Sequence, residues 1–154
     1  MSFPDRLSVV LSTLFFVGYM PVPGTAGSIA ALALFWLLRS NLIAQAVLTL
    51  FFISAGMLLA GRAEMALGRK DASPIVIDEA SGMMVSLLFL PVDFRIAVSG
   101  FVIFRVLDIL KPYPAAAAER LKGSPGIMVD DLIAGVYTNC ILQVAVRVIV
   151  SRLS

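Results

Sequence analysis

The chain has 154 residues, of which 60% are apolar and only 14% charged, and its mean hydropathy is +0.98. Soluble domains carry about 25% charged residues, so this composition describes an integral membrane protein, read as a single domain over residues 1–154. A formal charge of +2 on scattered basic residues argues against nucleic acid as a partner, and the lack of histidine excludes an imidazole nucleophile, base or metal ligand on this chain.

The lone cysteine, Cys140, permits no internal disulfide. The apolar stretch Leu7–Phe16 precedes small residues, but Asp5 offsets Arg6 where a secretion signal wants a positive start, so it is read as a first helix. Pro21–Ser28 is rich in proline and glycine and leads into Ser28–Leu38, an apolar run too short for the about 20 residues that span a bilayer. Leu42–Gly61 is a convincing span, and Gly56, Ala60, Glu64 and Gly68 follow one another at helical spacing, so small residues lead towards a carboxylate. Arg62–Lys70 continues that helix out of the membrane until Ser73-Pro74 breaks it.

Glu79–Leu90 reads as a short buried helix ended by Pro91, and Ile96–Leu110 as another, closed by Lys111-Pro112. Ala115–Leu121 fits a small surface helix. Asp131–Val150 is the second convincing span, with Asp130 or Asp131 placed to cap it. The expected fold is all-α, a compact multi-helical membrane bundle of short, interrupted and full-length membrane helices. Arg62, Arg69, Lys70, Arg120 and Lys122 flank the two spans, and the positive-inside tendency puts those loops in the cytoplasm.

Half of the ten acidic residues fall where apolar runs begin or break: Asp78, Glu79, Asp108, Asp130 and Asp131. A carboxylate near hydrocarbon is expensive unless paired, hydrated or metal-bound. Oxygen ligands without imidazole or thiolate suit magnesium or calcium. Each has a plainer reading: acids in a first helical turn satisfy the helix dipole, and Arg105 with Asp108 three residues on is an adequate structural salt bridge. Arg105 and Lys111 also suit phosphate oxygens, and the Gly24–Ser28 segment could present N–H groups to an anion or be an ordinary turn. It lacks the lysine of a P-loop, and no D-x-D motif of the aspartate-nucleophile phosphatases occurs.

Four blocks, Pro23–Ser28, Ile75–Gly82, Gly100–Pro114 and Gly126–Gly135, together resemble the phosphatidylglycerophosphatase A family, and their order and spacing fit over nearly the whole chain. The F-R-x-x-D-x-x-K-P-x-P and G-I-M-x-D-D-x-x-A-G runs are the specific parts. The resemblance implies a magnesium-dependent membrane enzyme that removes the terminal phosphate of phosphatidylglycerophosphate, working among membrane phospholipid at the cytoplasmic face of the bacterial inner membrane. It implies Asp78, Glu79, Asp108, Asp130 and Asp131 as catalytic and Mg2+-binding residues, and Thr25, Ser28, Arg105 and Lys111 as phosphate-binding ones. Glu64 and Asp71 lie in a less uniform stretch and are secondary candidates. An ion-conducting bundle and a CDP-alcohol phosphotransferase are the competing readings, but the D-x-x-D-G motif of the latter is missing.

Overall fold

The computed structural model describes residues 2–70, 72–91 and 93–153, with side chains as far as Val148; Asp71 lies outside them. Short polar residues and prolines open the helices. Ser2 starts α1 (Phe3–Ser12), its N and Oγ donating to Asp5 Oδ2 at 2.9 and 2.6 Å. Pro23 takes the first turn of α2 (Pro23–Leu37), and Asn41 Oδ1 accepts Ala44 N at the start of α3 (Leu42–Leu67). Then follow α4 (Ile77–Leu87), α5 (Phe94–Leu110, capped by Asp93), α6 (Ala115–Ala118) and α7 (Ser124–Leu153). No strand occurs among the described residues.

Several boundaries differ from the sequence expectation: α2 starts at Pro23 instead of Ser28, and α4 ends at Leu87, ahead of Phe89 at φ 63°, instead of at Pro91. The first helix stops at Ser12, because Leu14, Phe15 and Phe16 all take positive φ (49°, 52° and 73°) in a turn closed by Phe15 N to Val10 O and Gly18 N to Thr13 O. Apolar composition carries no sign of such a left-handed turn. The last helix begins at Ser124 with Pro125 in its first turn, so Asp130 and Asp131 lie more than one turn inside and cap nothing. The expected surface helix shortens to Ala115–Ala118, and Ala115 and Ala118 face inward and are buried.

The short α4 is the centre of the bundle, packed by α7, α2, α3 and α5. Its Ile77, Ala80, Met83, Met84 and Leu87 are at most 2% exposed. Two glycines let α4 and α7 touch backbone to backbone: a Cβ on Gly82 would lie 2.6 Å from Asp131 O, and one on Gly135 2.5 Å from Gly82 O. Gly56 likewise admits the Met128 side chain between α3 and α7, while Gly68, at φ +72°, ends α3 in the left-handed cap. At its other end α4 has no glycine; Asn139 Nδ2 donates instead to the carbonyls of Val85, Ser86 and Leu88 at 3.1, 3.2 and 2.8 Å.

Helices α3 and α7 are long and apolar enough to cross a membrane. Gly61 N, near the end of α3, donates to Ser124 Oγ at the start of α7 at 2.8 Å. The two run in opposite directions, and their basic ends share one side of the bundle. Large apolar side chains such as Leu50, Leu58 and Val144 point outward and are exposed.

Candidate metal and phosphate site

The site forms where the starts of α2 and α4 meet the end of α5 and the first third of α7. A turn at Ser73-Pro74, closed by Ile75 N to Ala72 O at 2.8 Å, leads into α4; Val76 N donates to Ser12 O at 2.9 Å, and α4 then places Asp78 and Glu79 in its first turn. Neighbouring side chains on a helix diverge by about 100°. Here they still converge: ligand oxygens of Asp78, Glu79 and Asp131 all lie within 4.8 Å of one another. The close approach at Gly82 and Gly135 carries Asp131 into this group.

Asp108 joins from α5. Its charge bears on both Glu79 and Asp131, and its Oδ2 accepts Arg105 Nη1 at 2.5 Å, with both side chains mostly buried. The start of α2 closes over the pair. A Cβ on Gly24 would run into Glu79 Oε1 and come 3.1 Å from both terminal nitrogens of Arg105. The first N–H groups of a helix have no intrahelical partner, and Val22 offers no side-chain cap, so α2 aims free donors at this point. Thr25 is half-buried in the same turn. Ser28 is one turn further in, fully buried, its Oγ donating to Gly24 O at 2.9 Å.

Lys111 leaves α5 at φ +45°, a conformation that favours glycine, and Pro112 prevents the helix from continuing. Its Nζ donates to Asp130 Oδ2 at 2.8 Å and to Glu119 Oε1 at 2.7 Å. Burial works against the charged ammonium, but these bonds and charges outweigh it and hold the Lys111 pKa above the ordinary lysine value. A cavity of about 300 Å³ opens here, lined by Gly24, Asp78, Glu79, Lys111, Glu119 and Asp130 among others.

The electrostatics of the site are unbalanced towards negative charge. Burial, then the charges of Glu79 and Asp131, raise the Asp78 pKa well above its ordinary value. Burial is also the largest influence on Glu79, whose pKa is raised although Asp78 and Arg105 pull it down. Asp78 Oδ1, Glu79 Oε2, Asp130 Oδ1 and Asp131 Oδ2 are buried without a hydrogen-bond partner. Orphaned buried carboxylate oxygens are costly, and a hard divalent cation is the ligand that satisfies several of them together. The residues present fit magnesium.

The structure thus brings Asp78, Glu79, Asp108, Asp131, Arg105 and the Thr25 turn together, with Asp130 and Lys111 at the cavity wall. It does not bring Glu64 there: Glu64 lines a separate recess with Lys70, Arg120 and Lys122. Glu119 escaped the sequence reading. Pro112–Pro114 breaks the helical spacing between it and Lys111, and its only signal was a lone acid in a basic stretch.

The sequence profile of the phosphatidylglycerophosphatase A family matches residues 10–146. A Bacteroides thetaiotaomicron protein provisionally named a phosphatidylinositol-3-phosphatase is 37% identical over 152 residues, covering 92% of this chain and 95% of its own. The phosphatidylglycerophosphatase A of Escherichia coli is 41% identical over 79% of this chain and 72% of its own, and that of Haemophilus influenzae 35% identical over 76% and 74%. No solved structure gives a significant match.

Proposed function

The chain belongs to the phosphatidylglycerophosphatase A family, and on that premise we propose that it hydrolyses the terminal phosphate monoester of phosphatidylglycerophosphate to phosphatidylglycerol and inorganic phosphate, using magnesium. The observation that carries the metal is the set of buried, unpartnered oxygens on Asp78, Glu79, Asp130 and Asp131. With Asp108 beside them, these residues would hold the cation. When bound, it supplies neutralising charge for the phosphoryl oxygens. Arg105, with its planar fork, and the N–H groups of the Gly24-Thr25 turn orient the phosphate, and Lys111 meets it at the cavity wall. Water attacks phosphorus, the P–O bond to glycerol breaks, and the alcohol leaves with a proton. The basic ends of α3 and α7 support a site at the cytoplasmic face of the bacterial inner membrane.

The Bacteroides relative, which aligns over more of the chain than the other two, favours a second substrate reading, phosphatidylinositol 3-phosphate. One assay decides between them: phosphate release by the purified chain from each lipid in nonionic detergent micelles, with magnesium or with EDTA. The proposal expects phosphatidylglycerophosphate to be turned over at least about ten-fold faster, a gap of about 1.4 kcal/mol in barrier. Faster release from the inositol lipid supports the second reading, and no release from either removes both.

A further inference from the structure

We propose that a basic recess next to the carboxylate cavity binds a second phosphoryl group, apart from the one that is hydrolysed; this rests on the lipid-phosphatase reading. The recess, of about 370 Å³, is lined by Lys70, Arg120 and Lys122 together with Glu64 and Glu119. It shares Glu119, Gly126 and Ile127 with the carboxylate cavity, so the two hollows have a common wall.

Clustering distinguishes this recess: other cations of the described surface also lack an ion pair, but Lys70, Arg120 and Lys122 line one hollow together. Arg62, Arg105 and Lys111 all have carboxylate partners, whereas none of Lys70, Arg120 and Lys122 is ion-paired among the described residues. The two acids in the wall still leave the recess with more cations than anions. Glu119 gives its carboxylate to Lys111, and Glu64 is itself partnered. The backbone builds the place rather than leaving it to chance: Gly68 at φ +72° turns the chain after α3, and Gly123 at φ +70° turns it before α7. A Cβ on Gly126 would run into Leu121 O, which fixes the turn carrying Lys122 against α7.

Three unpaired cations, one of them a guanidinium, call for an anion with several oxygens. Phosphatidylglycerophosphate offers two phosphoryl groups, the terminal monoester and the diester that joins glycerol to the lipid. With the monoester among the carboxylates, the recess takes either the diester phosphate of the lipid or the inorganic phosphate as it leaves. Solvated cations obeying only the positive-inside tendency would bind neither.

The test uses the full chain in nonionic detergent and the triple variant Lys70→Gln, Arg120→Gln, Lys122→Gln. Three constants are read: KM for phosphatidylglycerophosphate, the same for phosphatidic acid (one phosphoryl group, as substrate or competitor), and inhibition by inorganic phosphate. A rise of about ten-fold in the first, with phosphatidic acid unchanged and kcat kept, assigns the recess to the diester. A similar rise in the phosphate inhibition constant alone assigns it to the leaving product. Three unchanged constants in a folded variant overturn the proposal. Should the triple variant not fold, Arg120→Gln is read in the same way. If the wild type releases no phosphate from any lipid, the function fails separately, and equilibrium binding of radiolabelled inorganic phosphate decides the recess, equal binding by wild type and variant overturning it.

Discussion

Lys111 Nζ donates to Asp130 Oδ2 at 2.8 Å, so a lysine suited to phosphate is tied to a carboxylate suited to metal. Glu119 holds the same ammonium from the other side at 2.7 Å. If Lys111 serves the phosphate, Lys111→Gln should lower kcat/KM by about 10²-fold, the usual scale for a lost transition-state donor. Arg105→Lys should lower it as well, because a point charge cannot replace the fork. Steady-state kinetics with thermal unfolding alongside checks both. Full activity in Arg105→Lys removes the geometric role, and a collapse of stability in Arg105→Ala assigns the pair with Asp108 to structure.

Gly24 gives a sharper test of the α2 contact. Alanine is the better helix former, yet its Cβ would strike Glu79 Oε1 and crowd Arg105. Gly24→Ala should lose turnover by about 10²-fold or more while keeping its thermal midpoint. Gly68→Ala is the converse control. Its φ of +72° is unfavourable for alanine but its surroundings are open, so stability should fall by about 1 kcal/mol with turnover kept. Normal turnover in Gly24→Ala would detach α2 from the site.

Magnesium and protons should compete at the first turn of α4. The folded pKa values of Asp78 and Glu79 are raised above the ordinary 3.8 and 4.5 of the unfolded chain. Folding therefore favours their protonated forms: stability is greatest below the ordinary values and falls as pH rises through the raised ones. A cation replaces those protons. Thermal unfolding in EDTA should show a lower midpoint at pH 8 than at pH 5, and magnesium should raise the midpoint more at pH 8. A magnesium gain independent of pH contradicts this.

The shared side of the basic ends is testable in cells. In a Cys140→Ser background, Ser73→Cys at the carboxylate cavity and Lys122→Cys in the turn before α7 should both resist an impermeant thiol reagent until the membrane is opened. Labelling of both in intact cells would place the site outside. Opposite accessibilities would contradict the antiparallel pairing of α3 and α7 at Gly61 and Ser124.

Long apolar runs and the break at Lys111-Pro112 made the all-helical bundle and both long helices legible. The left-handed turn at Leu14–Phe16 was not legible, because three apolar residues give no local reason for positive φ; the turn leads to Gly18, which lies against Pro74 O. The start of α7 was misplaced for a related reason: the Asp130-Asp131 pair looks like a cap, but Ser124-Pro125 supplies an earlier start. At the site, the acidic residues stood out because charge is rare in this chain. Their division of labour did not. Which acid faces Lys111 and which faces α4 depends on the crossing of α4 and α7 at Gly82 and Gly135, a tertiary fact without a sequence period. Glu119 was hidden for the same reason.

The most direct measurement is a magnesium titration of phosphate release from phosphatidylglycerophosphate by the wild type, Asp78→Asn and Asp131→Asn, each shown to be folded in detergent. The account predicts no release in EDTA, recovery on adding magnesium, and in each variant either about ten-fold more magnesium for half-maximal rate or turnover reduced by about 10²-fold. Release in EDTA, or variants with the wild-type rate and the wild-type magnesium requirement, would contradict it.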